Sequence, residues 1–176
     1  VVPTISNLTY AEAVSGIAAQ FGGYVKLRSK LQVTIGASGS YGSSISSYRT
    51  SVNGTAYTSS SFTTGTLSTA GSNTISVTVT DSRGRTATKS ATFTVIDYAR
   101  PSITDFHAER CNADGSAVQV DGTKVRISAK GCVSSVSSKN TISCKVFYKQ
   151  TSSTAWASAG TVTASGYTIA PTNLLL

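Results

Sequence analysis

The chain is 176 residues long, with 39% hydrophobic and only 12% charged residues and a formal net charge of +8. The charged share is about half the ordinary one, and Ser and Thr, about a third of the chain, take its place. No run of about 18 apolar residues occurs, which excludes a membrane-spanning helix. The charge divides evenly, +4 in residues 1–99 and +4 in residues 100–176, a pattern that suits weak attraction to polyanions better than a nucleic-acid site.

The opening VVPTISNL, Val1 to Leu8, returns as ARPSITDF, Ala99 to Phe106. Pro101 falls on Pro3, Ser102 on Thr4, Ile103 on Ile5, Thr104 on Ser6, Asp105 on Asn7 and Phe106 on Leu8. This repeat predicts two domains, 1–98 and 99–176. With no Met and no signal peptide, and with an opening that is already strand-like, the chain is expected to be a segment of a longer polypeptide.

TYAEAVSGIAAQF, Thr9 to Phe21, holds good helix formers but is interrupted by Gly16, so a loop with one or two helical turns is expected. Beyond it the pattern alternates. Leu31, Val33 and Ile35 alternate with Gln32 and Thr34. Ile75, Val77 and Val79 alternate with Ser76, Thr78 and Thr80, and Phe93 and Val95 with Thr92 and Thr94. A period of two marks strands with one buried face. Asn53-Gly54 is a hairpin signal, and Asp81 to Arg85 suits a hairpin with a bulge. About seven short strands in residues 1–98 predict an immunoglobulin-like β-sandwich.

Tyr98-Ala99-Arg100 leaves little slack before Pro101, which predicts a semi-rigid rod. In DGTKVRISA, Val125, Ile127 and Ala129 form an inward face opposite Lys124, Arg126 and Ser128. In TISCKVFYK, Ile142, Cys144, Val146 and Tyr148 oppose Lys145, Phe147 and Lys149. Trp156 is expected in a core or at a domain edge, followed by GYTIAP and the apolar tail PTNLLL, which reads as a cut edge. The fold class is thus all-β, two tandem immunoglobulin-like sandwiches, the second either incomplete or a shorter variant.

Chemistry-bearing patterns are weak. His107 stands two residues from Asp105, more a surface cluster than a catalytic dyad. Glu12 and Glu109, the two glutamates, have nothing to bring them together. Cys111, Cys132 and Cys144 lack paired metal-ligand spacing; one bridge with a free thiol is open, but three buried thiols are favoured. NADGSAVQVDG, Asn112 to Gly122, lacks the ligand pattern of a calcium loop and reads as a turn. Asn7-Leu8-Thr9 and Asn53-Gly54-Thr55 match glycosylation acceptors, as chance matches in a Thr-rich chain do. No phosphate-binding glycine loop occurs. No catalytic, cofactor or metal residues are assigned, and a non-enzyme is expected.

Two candidate contact surfaces remain. Lys124, Arg126 and Lys130, with Lys145 and Lys149, would form a basic strand face for a phosphate-bearing surface polymer; a solvated face that guards sheet edges is the favoured alternative. Tyr41, Tyr48 and Tyr57, around a Ser/Gly-rich hairpin, would stack on sugars, or else, as favoured, pack across strands.

The phrases YVKLRSKLQVTIGASGSYGSSISSY, VNGTAY, TDSRGRTATKSATFTV and YARPSITDFHAERCNADG follow one another in this order. They resemble the Ig-like repeat region of minor structural proteins, tail or tail-tip proteins, of siphophages infecting Gram-positive bacteria. The resemblance covers nearly the whole chain. It is most specific at DSRGRTAT, at ARPSI and at Arg110 to Gly115. It implies a virion protein whose modules are spacers or host-surface adhesins. Its partners would be other tail and virion proteins and host cell-wall glycan or teichoic acid, with homo-oligomerisation in the full-length polypeptide, no nucleic acid and no membrane insertion. The three cysteines depart from the pattern, which would carry Ser, Thr or aliphatic residues. A bacterial cell-surface adhesin or stalk module, or an accessory carbohydrate-binding module of a larger enzyme, are the alternatives to a phage tail.

Overall fold

Alternation of apolar and hydroxyl side chains needs a second apolar face to cover each strand's inner side, and the chain meets that need with packed sheets. A computed structural model describes residues 1–162, 164–169 and 174–176, with only the backbone of Leu174. Pro171, at the end of GYTIAP, and the Pro171–Asn173 part of the tail lie outside the described residues. The chain divides into two compact units, Val1–Tyr98 and Ala99–Leu176.

In unit 1, β1 (Thr4–Glu12), β3 (Leu31–Ser38) and β6 (Ser61–Thr63) form a sheet in the order β1-β3-β6. The facing sheet runs β2-β8-β7-β4-β5, from β2 (Tyr24–Val25), β4 (Ile45–Val52), β5 (Thr55–Tyr57), β7 (Gly71–Asp81) and β8 (Thr86–Ile96). Leu31, Val33, Ile35, Ile75, Val77, Val79, Phe93 and Val95 all lie in the buried cluster between the sheets, as the alternation predicts. Tyr10 and Tyr24 both meet Phe93 at 5.7 Å between ring centroids, and the Tyr10 hydroxyl donates to the Thr92 carbonyl at 2.9 Å, so β8 covers β1.

The expected Asn53-Gly54 hairpin joins β4 to β5, both turn residues at positive φ (48° and 85°), as a tight two-residue turn requires. Unit 1 has eight strands where about seven were expected; the shortest is β2, two residues paired parallel to β8. Thr9 to Phe21 splits. Thr9–Glu12 completes β1, and helix α1 is only Ile17–Phe21. The strand wins the first part because Glu12 Oε1 accepts from the backbone N–H groups of Val14 and Lys30 (2.9 and 3.1 Å), fixing β1 against the start of β3.

In unit 2, β9 (Ser102–Cys111) pairs with β10 (Lys124–Cys132). The other edge of β10 takes β14 (Thr168–Ile169) and β15 (Leu174–Leu175), and β13 (Ala164–Ser165) pairs with β14. Strands β11 (Cys144–Tyr148) and β12 (Ala157–Val162) form a separate two-stranded sheet. Ile127, Val146, Val162 and Ile169 make the buried cluster between the sheets.

The repeated opening is a repeated piece of structure. The β1–β3 ladder skips Ser6, whose hydroxyl donates to the Gly36 carbonyl at 3.1 Å. The β9–β10 ladder skips Thr104, the residue aligned with Ser6, whose hydroxyl donates to the Lys130 carbonyl at 3.3 Å. By this register β9 and β10 correspond to β1 and β3, β11 and β12 to β4 and β5, and β15 to β6. Among the described residues, unit 2 has no counterpart of β7 and β8.

One expectation fails in unit 2. Tyr148 does not join the inward face of β11, because the ladder to β12 slips between Val146 and Phe147 and leaves Tyr148 exposed. Of the two places expected for Trp156, the core is excluded: the ring is 64% exposed, with the Lys149 ammonium 5.4 Å from its centroid, because it precedes β12 rather than lying within it.

Candidate functional site

Asp81 ends β7 and builds one end of unit 1. Its side chain is fully buried. Oδ1 accepts from the backbone N–H groups of Arg83 (3.0 Å) and Arg85 (2.9 Å), and Oδ2 from Arg85 Nε (2.8 Å). Ser43 Oγ lies 3.0 Å from Oδ2. Burial pushes this carboxyl up, but the hydrogen bonds from the Arg85 side chain and backbone, Arg83 and Ser43 outweigh it and hold it well below the usual carboxylate range. The Arg85 guanidinium continues to the Ser40 carbonyl at 3.1 Å, and that of Arg83 to the Tyr41 carbonyl at 2.9 Å. The predicted Asp81–Arg85 hairpin therefore clamps the β3–β4 loop. Gly39 is required there, since a Cβ would stand 1.9 Å from the Ser43 carbonyl oxygen. Nothing in the sequence linked Ser40 and Ser43 to Arg85; the link is made by tertiary contact alone.

The three candidate tyrosines do not share a surface. Tyr41 rides this clamped loop, 76% exposed. Tyr48 packs against the core from β4. Tyr57 stacks on Phe62 (centroids 4.2 Å apart, planes at 10°) and its hydroxyl accepts from the Gly65 N–H. Of the three, Tyr41 alone offers a free ring.

The five basic candidates divide between two sheets. Lys124, Arg126 and Lys130 lie on the outer face of β10, as the alternation predicts. The register with β9 supplies their acids. Arg126 Nη2 meets Glu109 Oε2 at 3.2 Å, and Lys130 sits opposite Asp105, whose carboxylate is 2.6 Å from His107 Nε2. This face is a ladder of mixed charge rather than a basic stripe. Lys145 is exposed on β11, and Lys149, just past that strand, caps Trp156.

Asn112 to Gly122 is a turn. Asn112 Oδ1 accepts from the Ala117 N–H, and the Ser116 N–H on Asp114 Oδ1 holds that carboxyl below its ordinary range. Cys111 is buried, Cys144 half-buried and Cys132 exposed, all as free thiols. The expectation of three buried thiols fails at Cys132, which ends β10 on its uncovered side. Among the described residues no three His, Cys, Asp or Glu side chains gather as metal ligands, and no helix is long and apolar enough to cross a membrane.

No curated protein and no solved structure matches this chain. A family model does, over residues 1–171, and its description is a siphovirus protein of unknown function, DUF859. The chain belongs to that siphovirus family and is a phage protein.

Proposed function

We propose that this chain is a non-enzymatic structural segment of the siphovirus tail, made of tandem immunoglobulin-like modules, with host-surface attachment through the Tyr41 loop. The observation that carries the reading is the duplicated strand pair, bulge included, in a protein of a siphovirus family. Duplication of a passive framework suits a spacer. The strand order supports the immunoglobulin-like assignment: β1, β3 and β6 take the places of strands A, B and E, and β8, β7, β4 and β5 those of G, F, C and C′. Among the described residues the fully buried carboxylate, Asp81, is spent on holding a loop, which supports a mechanical rather than a catalytic role.

The rigid clamp under Tyr41 supports attachment, since an exposed aromatic held in place loses little entropy on binding. The partners are other tail proteins and host cell-wall glycan. Antibodies against residues 1–176 should decorate the tails of intact virions in electron microscopy. Protein present in lysates of infected cells but absent from purified virions would refute the assignment. Binding of the purified chain to host wall glycan should fall in Tyr41→Ala and persist in Tyr57→Phe; equal binding by both removes the attachment role.

A further inference from the structure

The outward face of the β11–β12 hairpin gathers aromatic rings and cations. Val146 of β11 is buried in the unit 2 cluster, so its neighbours Lys145 and Phe147 lie on the other side of the sheet. Phe147 is 53% exposed there, opposite the exposed Ser158 of β12. Just beyond these two residues the Lys149 ammonium meets the exposed Trp156 ring. The loop that joins them is tied to itself. The Ser153 N–H donates to the Gln150 carbonyl at 3.0 Å, and the Ser153 hydroxyl accepts from the Ala155 N–H at 3.1 Å and donates to the Ala155 carbonyl at 3.2 Å. Trp156 is thus held in place with most of its surface in solvent. A strand added beside β11 would widen this sheet without covering its outward face. The face is also no part of the repeat. In unit 1 the outward positions of β4 and β5 hold Ser47, Arg49, Ser51 and Ala56, with no aromatic ring.

Charge complementarity defines the occupant. Residues 123–176 contain six Lys or Arg and no Asp or Glu. Arg126 and Lys130 have Glu109 and Asp105 across the β9–β10 ladder. Among the described residues no carboxylate pairs with Lys145 or Lys149. Each of these ammonium groups can donate to an oxyanion. Exposed rings held in place offer flat apolar area at low entropic cost, a surface on which the C–H face of a sugar ring stacks. A nucleic-acid strand would draw on a longer basic track than two lysines provide. We infer that this face binds an anionic glycan, a chain of sugar rings bearing phosphate or carboxylate groups. Trp156 and Phe147 take the sugar rings, and Lys145 and Lys149 the anionic groups. The site is separate from the Tyr41 loop and does not depend on it.

Trp156 is the sole tryptophan of the chain, so its fluorescence reports on the site directly. The intact 176-residue chain is titrated with dextran phosphate, polygalacturonate, neutral dextran, inorganic polyphosphate and oligo(dT). At least one of the first two should change the Trp156 emission saturably, the tighter showing which anion is preferred, and neutral dextran should not. Lys145→Gln and Phe147→Ala change exposed residues, so both variants should fold, and each should weaken binding about tenfold. Tyr41→Ala should bind as the parent does, which keeps this test apart from that of the Tyr41 loop. An emission that neither anionic glycan changes overturns the inference, and so does unchanged binding by both variants. Equal or tighter binding of polyphosphate overturns it by leaving charge alone as the cause, and equal or tighter binding of oligo(dT) by putting a nucleic acid there. An emission that shifts with protein concentration in the absence of polymer overturns it by putting a second copy on this face.

Discussion

Asp81 shows how one residue's charge state can hold a loop. A carboxyl held below its ordinary range contributes stability above the unfolded-state value, about 4, and loses it as pH falls toward the folded-state value. Unit 1 should therefore melt at lower temperature at pH 2.5 than at pH 6, by way of this group. Asp81→Asn keeps the shape but loses the charge that Arg85 is paired with, so it should lower the Tm at pH 6 and flatten its dependence on pH. Thermal melts of both proteins across about pH 2 to 7 check this. A variant with an unchanged Tm and the same acid slope would show that the clamp contributes nothing. The charged residues of unit 2 point the other way. Arg126 is paired with Glu109 across the strand pair and Lys130 sits opposite Asp105, and exposed pairs of this kind add about 0–1 kcal/mol.

At the scale of elements, the strands of unit 1 rest on alternation, so inward and outward substitutions should differ sharply. Ile75→Ala on β7 opens a cavity at a fully buried position and should cost about 2–5 kcal/mol. Ser76→Ala, one residue on, faces out and should stay within about 0.5 kcal/mol. Denaturant melts of the two variants measure the difference. That same alternation made β3, β7 and β8 legible in the sequence, because a period-two pattern is a local property. The Asn53-Gly54 turn was legible for the same reason: its positive φ angles are written in two adjacent residues. What stayed hidden depends on which strand lies beside which. The acids facing Lys130 and Arg126 come from β9 through the register, and the slip after Val146 that exposes Tyr148 is set by β12. The stacking of Tyr57 on Phe62 and the bond from Arg83 to the Tyr41 loop are likewise contacts between segments. They decide which tyrosine is free, and no spacing rule could have chosen Tyr41 over the other two.

For the whole molecule, the two units differ in how far their interiors are closed. Among the described residues, unit 1 buries a cluster of ten apolar side chains drawn from both its sheets, and unit 2 a cluster of four. Burying one Val or Ile side chain is worth about 1.5–3 kcal/mol, and the ordering cost scales with chain length, so unit 2, which buries fewer such side chains per residue, has less to set against that cost. Calorimetry should therefore resolve two transitions rather than one, with unit 2 melting first. The assignment can be made by perturbing each unit alone. Ile75→Ala should lower only the upper transition, because its side chain lies in the unit 1 cluster. Ile127→Ala should lower only the lower one, because its side chain lies in the unit 2 cluster. A single transition, or a lower transition that moves with Ile75→Ala, would contradict the ranking.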